Sequence, residues 1–300
     1  MVVKLRENNY ETLKHLAEYR ILTMSQLAAV CQKKKPSIRK HIRGLRESGF
    51  VKVTSNELGH NFGRPENLLG LTEQGIDTLK DKNIIPHDVA YEKVGPVSFR
   101  LIDHQLLINW FRIHLGQIKQ LKIRFLSYNS PFVPLGQSDR VIITDYAPIG
   151  RRTIREVNFT PDAVFTTTNT VNGMTLLFFL EVDCGTETLS SPRRDMKDIR
   201  QKILNYQWYF QSRKYKRYEK IFENSLFHGF RLLFLTKTVG RLAALCRLVQ
   251  EMQPSNFIWL TEQERMFNDG VFWNIWARGG NLQIAQQSIL GSMVCRAPLS

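Results

Sequence analysis

The chain has 300 residues, 43% of them hydrophobic, with 18 Phe and 5 Trp; it can bury sizeable cores, and at about 100–200 residues per domain it suggests two. Its net charge of +15 points to an anionic partner, most often nucleic acid. No apolar run approaches the ~20 residues that span a bilayer, the four scattered cysteines form no zinc knuckle or CxxC pair, and no GxxxxGK motif marks an ATPase.

The first residues carry charge and no apolar signal core, and sparse cysteine suits a reducing compartment, so a cytoplasmic protein with no membrane partner is expected. The positive charge is clustered. Residues 1–80 hold 14 Lys and Arg against 8 acidic residues, and residues 193–220 hold 10 against 3. Two separate contacts with a polyanion are therefore expected.

Residues 1–80 read as a winged helix-turn-helix domain. A helix over 8–19 has Leu13 and Leu16 on its apolar side, and Thr23 or Ser25 can cap the next helix. A third helix begins near Pro36 and Ser37. Its residues Ile38, Ile42 and Leu45 recur at helical spacing as a buried stripe. Arg39, Arg43 and Arg46 run parallel to that stripe. With Lys33, Lys34, Lys35 and Lys40 they make seven bases and no acid between 33 and 46. Such a helix can enter a major groove of duplex DNA, its bases mostly positioning it on phosphates. Arg39, Lys40 and Arg43 are the best placed for base edges. A strand from Val51, a wing containing Arg64, and a return at Leu68–Leu71 follow. Thr72 then caps a closing helix that begins with LTEQG. The order of basic helix, ESGFV, wing and LTEQG resembles the winged helices of bacterial transcription regulators. A charged face that is simply solvated and a protein-binding winged helix are the alternatives.

Residues 81–96, with Pro86, Gly95 and Pro96, read as a linker. A second domain over 97–278 starts with a helix from Arg100 to Leu115 and a strand over Leu121–Tyr128. Residues 129–158 read as an irregular insertion. The next stretch, FTPDAVFTTTNTVNGMTLLFFLEVD from Phe159 to Asp183, reads as a hairpin turning at Asn172-Gly173. A two-residue turn would put Asp162 opposite Asp183 with Glu181 diagonal to it. Three carboxylates would then converge within about 5–8 Å on one face. Hard oxygens so placed suit a divalent cation, Mg2+ or Mn2+; solvated or base-paired acids are the alternative. A long helix over 194–213, an apolar strand at Phe230–Thr236, a helix over Arg241–Met252 and a last strand at Phe257–Leu260 follow, and residues 279–300 read as a tail. The fold class is thus α/β (α+β) in two domains.

The order α-β-β-β-α-β-α-β, with Pro161-Asp162 on one strand and Glu181-Val182-Asp183 ending the next, resembles the restriction-endonuclease-like core with its PD…(D/E)xK signature. That resemblance implies metal positions at Asp162 and Glu181. Asp183 stands where the pattern has Lys, which leaves catalysis open. Lys202, or Lys197, from the following helix is the substitute it implies. An ion pair of Lys202 with Asp198 is the alternative.

DHQLLIN at 103–109, PDAVF at 161–165, FLEVDCGTE through Glu181 and Glu187, and KILNY at 202–206 resemble the replication-relaxation family of plasmids and mobile elements, which includes MobC-type relaxases. The resemblance implies binding at a plasmid origin region and, in the mobilisation branch, strand nicking. It implies a site of Asp162, Glu181, Lys202 and His104. His104 on its helix reads first as a packed core or boundary residue, with a ligand or proton shuttle as the alternative. Tyr206 is a nucleophile only if a covalent bond to DNA forms, and packing on the sheet is the favoured reading. Tyr206, Trp208, Tyr209 and Phe210 beside Arg213, Lys214, Lys216 and Arg217 offer stacking for single-stranded DNA, or are core. The expected function is a metal-dependent nicking endonuclease. The alternative is an inactive replication or transcription regulator.

Overall fold

The computed structural model describes residues 5–55, 66–95, 101–118, 121–126, 144–148, 156–170, 172–191, 198–222, 225–283 and 286–290. It divides into two compact units, the first extending to Ile113.

The first unit is a winged helix-turn-helix built from α1 (Glu7–Tyr19), β1 (Leu22–Thr23), α2 (Met24–Val30), α3 (Lys35–Glu47), β2 (Val51–Thr54), β3 (Leu68–Leu71) and α4 (Glu73–Asp81). Its antiparallel sheet runs β1-β3-β2. Thr23 caps α2, its hydroxyl taking the Gln26 N–H at 3.2 Å. Thr72 caps α4 and also donates to Gly49 O at 2.6 Å. ESGFV and LTEQG are therefore two halves of one joint. Gly49 leaves α3 at φ +81°, and a Cβ on Gly75 would meet Phe50 O at 2.3 Å, so the strand and α4 approach closely only through glycine. Ile38, Ile42 and Leu45 are buried as their spacing predicts. The helix starts slightly earlier than Ser37, with Pro36 in its first turn, where a missing N–H costs nothing.

The described part of the expected linker, residues 81–95, is no free linker. Ile85, Val89 and Val94 are buried in the winged-helix core, and Tyr91–Val94 forms α5. Residues of α6 (Ile102–Gly116) through Ile113 belong to the same unit. Asn109 shows why: its amide donates to the carbonyls of Tyr19 and Ile21 at 3.1 and 2.6 Å, where α1 ends, and accepts from Gln105 at 2.9 Å. The DHQLLIN motif thus supplies buried amides that satisfy backbone carbonyls.

The second unit holds a six-stranded mixed sheet. Its strands are β4 (Leu121–Leu126), β7 (Ala163–Asn169), β8 (Thr175–Asp183), β9 (Arg231–Thr236), β10 (Ile258–Glu262) and β11 (Ala277–Arg278). They lie in the order β11-β10-β9-β8-β7-β4. β8, β9 and β10 are parallel, joined through α7 (Ile199–Gln211), the short α8 (Tyr218–Ile221) and α9 (Val239–Glu251), while α10 (Gln263–Asp269) follows β10. Buried on both faces, β9 reads as a continuous apolar run. The supposed insertion carries a second hairpin, β5 (Asp145–Pro148) with β6 (Glu156–Phe159). The supposed tail packs in part, with Gln287 bridging to Trp276 and Ile289 fully buried.

The β7–β8 hairpin departs from the two-residue turn. Pairing of Thr168 with Thr175 and of Ala163 with Leu180 gives a longer loop, closed by Asn169 N–H on Met174 O. Gly173 alone among the described loop residues has positive φ; Asn172 uses its side chain instead, accepting the Met174 N–H at 3.0 Å. The register moves by two residues, an even step that leaves every side chain on its expected face.

Candidate functional site

That two-residue shift decides which acids meet. The Asp162 N–H donates to Leu180 O at 3.1 Å, and its carboxylate accepts the Val182 N–H at 2.7 Å. Asp162 therefore brackets Glu181, and not Asp183. Glu181, only 3% exposed, points toward α7. Its two carboxylate oxygens accept from Tyr206 OH at 2.5 Å and Lys202 Nζ at 3.0 Å, one helical turn apart. Lys202 also reaches Glu187 at 3.0 Å. Asp198 is not its side-chain partner: that carboxylate caps α7 through the Gln201 N–H at 2.8 Å and takes the Ser191 N–H at 2.6 Å.

Burial is the largest influence on Glu181 and pushes its carboxyl up to about 7; Lys202 opposes that shift and Asp162 adds to it. Burial alone would lower the Lys202 ammonium, yet Glu181, then Glu187 and Asp162, more than reverse this, so it stays charged. Burial and the adjoining Glu181 hold the Tyr206 phenol far above its ordinary value. Tyr206 is a protonated donor to Glu181, in contact with Phe159 and Phe179.

Asp183 faces a different neighbour. Arg241 on α9 grips it at 2.5 and 3.3 Å and also donates to the Glu187 carbonyl at 2.5 Å, while Asp183 takes the Gly185 N–H at 2.9 Å. The expected trio of carboxylates is thus a pair. Among the described residues no group of three His, Cys, Asp or Glu lies close enough to hold a metal. His104 is half-buried on α6 and belongs to the first unit, whereas Asp162 and Glu181 belong to the second. Lys197 and Arg64 lie outside the described residues.

Another buried carboxylate, Asp145, has no counterpart among the residues singled out from sequence. Asp145 on β5 accepts from Tyr209 OH at 2.6 Å and Tyr218 OH at 2.8 Å and faces Arg217 Nε at 3.0 Å. This network spends part of the second basic cluster internally, and Arg200 spends more on Glu251 at 2.9 Å. Tyr206 and Tyr209 are fully buried, so these rings are core and not a stacking surface. Its sequence signal is weak: one acid in a poorly patterned stretch, its partners over 60 residues away.

The basic stripe on α3 stands apart. Lys33, Lys34, Lys35, Arg39, Lys40, Arg43 and Arg46 are all exposed. Lys35 pairs with Glu66 at 3.2 Å, whereas among the described residues Arg39, Lys40, Arg43 and Arg46 make no ion pair.

Fold and site together define a two-unit protein: a winged helix with an uncovered basic helix, and a mixed α/β unit with a buried Glu–Lys–Tyr cluster. The family model described as replication-relaxation matches residues 13–224, and the chain belongs to that family. No curated protein matches it. Among solved structures, a mutant MarR from Escherichia coli with operator DNA is 15% identical (TM-score 0.24), over 26% of this chain and 54% of that one. Streptococcus pneumoniae FabT with DNA is also 15% identical (0.25), over 27% and 54%. Lactococcus lactis ZitR, a zinc-responsive MarR family member, is 21% identical (0.24), over 28% and 55%. The chain thus spans about half the length of the structures it matches. Among the described residues no helix is long and apolar enough to cross a membrane.

Proposed function

We propose that this chain docks on duplex DNA at the origin region of a plasmid or other mobile element through α3 and nicks one strand with its second unit. The observation that carries the reading is Lys202 on Glu181, beside Asp162: a cation from the helix after β8 stands where the signature's lysine is missing from position 183. On this reading the second unit is a restriction-endonuclease-like core, and its sheet order and α7 crossover support that.

The donors fit a hard divalent cation. Asp162 and Glu181 offer carboxylate oxygens of the kind that hold Mg2+ or Mn2+ with water and phosphate. The like-charge stress of Asp162 on Glu181 is what such a cation relieves. When bound, it would supply a lowered water pKa and neutralise phosphate charge. The chain's own residues do the rest. Tyr206 fixes one Glu181 oxygen, and Lys202 aims its ammonium at the incoming phosphate or water while Glu187 tethers it. The reading is tested by incubating the protein with supercoiled plasmid carrying its cognate origin and Mg2+ or Mn2+; conversion to the nicked circle is expected.

One observation favours a second reading, a regulator without catalysis. Position 183 carries an acid held by Arg241, so the place of the signature's lysine brings no free positive charge to a phosphate. Absence of nicking with either metal on cognate DNA selects this reading.

A further inference from the structure

At the end of β8 away from the carboxylates, the second unit opens into an aromatic-walled cavity of about 780 Å³. The half-buried Phe210 and the buried Phe257, Phe230 and Trp259 form its walls, and Leu226, 77% exposed, stands at its mouth. A second, polar cavity of similar volume adjoins it and shares Asn256 and Arg278. Its walls come from α9, through Arg247 and Gln250, and from the turn at Gly279–Gly280. That turn is built in place: both glycines have positive φ, a Cβ on Gly280 would meet Cys246 O at 2.4 Å, and Gln250 donates to Gly280 O at 2.8 Å.

The charge in these cavities is one-sided. Among the described lining residues stand Arg231, Arg247 and Arg278 and no Asp or Glu. None of the three makes an ion pair with a described carboxylate. Arg231 lies over the Trp259 ring, 4.4 Å from its centroid, and burial and then Arg278 lower its guanidinium from the ordinary value. Like charges pressed together beside aromatic rings, with no acid among the described lining residues to offset them, are complementary to an anion that carries flat apolar groups.

We propose that these adjoining cavities bind an unpaired nucleic-acid strand, its bases in the aromatic cavity and its phosphates at Arg278 and Arg247. Single-strand sites combine rings for stacking with a cationic track for the backbone; here the half-buried Phe210 is the ring open to a base, and the arginines are the track. An acidic peptide would use the arginines but leave the aromatic cavity without a flat partner. β8 spans nine residues, about 26 Å at ~3.3 Å per residue, so a strand held here is a few nucleotides from Glu181. The proposal does not rest on strand cleavage.

The test uses the full chain with Arg39→Ala, Lys40→Ala and Arg43→Ala, so that the duplex-docking helix contributes little. Binding of fluorescein-labelled (dT)12 is followed by anisotropy. Arg247→Gln with Arg278→Gln should weaken binding about 10-fold and reduce the log-affinity against log-salt slope by about 0.7 for each phosphate no longer bound. Leu226→Asp, at an exposed position, should weaken it as well, and unchanged circular-dichroism melting will show that each variant is folded. With α3 intact, duplex binding should be unaffected by the two arginine changes. If the α3-neutralised chain fails to bind (dT)12, or binds it equally well after all three changes, the proposal is overturned. Competition by poly-glutamate as strong as by unlabelled (dT)12 of equal charge overturns it too, and assigns the cavities to an acidic peptide.

Discussion

α3 and the Glu181 cluster use charge in opposite ways. Over residues 33–46, which run into all but the last residue of α3, the charges are of one sign, exposed and, at Arg39, Lys40, Arg43 and Arg46, without ion pairs among the described residues. Around Glu181 the charges are of both signs, buried or half-buried, and each of the three central groups touches another. In water an exposed cation costs almost nothing to display and waits for an external polyanion. A buried carboxylate must be satisfied at once, or it protonates. The first arrangement is a surface for binding; the second is a device whose parts hold one another until something displaces them.

The largest effect belongs to the buried cluster. With Mg2+ or Mn2+ on cognate supercoiled DNA, Asp162→Ala, Glu181→Ala and Lys202→Ala are each expected to lower the nicking rate by about 10²–10³-fold, the usual cost of removing one preorganised charge at a reacting phosphate. Tyr206→Phe should retain most of the rate, since the phenol is a protonated donor to Glu181. Loss of nicking in Tyr206→Phe alone, with wild-type protein recovered covalently on DNA, would instead make the tyrosine the nucleophile. Next comes Asp183→Lys, which restores the signature on paper. It should destabilise the second unit by about 3 kcal/mol, because it sets a lysine against the Arg241 guanidinium that Asp183 now holds. A gain in nicking with no loss of stability in urea melts would show that Arg241 is free to move.

What the sequence disclosed follows the same division. The periodic stripe of Ile38, Ile42 and Leu45, with bases one residue along, is local and was legible. So were the Thr23 and Thr72 caps and the ends of β8 and β9, where apolar runs stop. The face of every hairpin side chain was legible as well, because only an even register step separates the expected pairing from the observed one. Which acids meet was not, since that turns on whether Asn172 adopts positive φ or bonds Met174 through its side chain. The Arg241 grip on Asp183 and the Tyr209–Asp145–Tyr218 network join residues 58 to 73 apart, and no spacing rule reports such pairs. The assignment of 81–95 to the winged-helix core rests on Ile84, Ile85, Val89 and Val94, whose spacing follows no sustained helical or strand period.

For the exposed region the prediction is one of salt. Arg39→Ala, Lys40→Ala and Arg43→Ala together should weaken duplex binding about 10²-fold at moderate salt and lower the log-affinity against log-salt slope by about 0.9 for each phosphate no longer neutralised. Because all three side chains are exposed, the melting temperature should be unchanged. Equal affinity and slope would mean that the winged helix faces a protein partner.

The smallest effect is the most specific to the buried region, and its sign is set by Glu181. Burial pushes the folded carboxyl up to about 7 from an ordinary value of 4.5. Between those values the folded state holds a proton that the unfolded chain has released. Stability contributed by this group is therefore full below about pH 4.5, falls as pH rises through 7, and is level above. At 1.36 kcal/mol per unit the ceiling is about 3 kcal/mol, and the part of it lost above pH 5 is about 2 kcal/mol. Lys202 stays charged throughout this window, so it does not reverse the sign. Four of the five tryptophans, Trp208, Trp259, Trp273 and Trp276, lie in the second unit, and their fluorescence in urea reports its unfolding. Wild-type protein should lose midpoint concentration between pH 5 and pH 7.5, and Glu181→Gln, which cannot titrate, should lose about 2 kcal/mol less over the same interval. Parallel pH profiles for the two proteins would place the Glu181 carboxylate in an environment no more costly than water, and would remove the charge stress on which a cation between Asp162 and Glu181 depends.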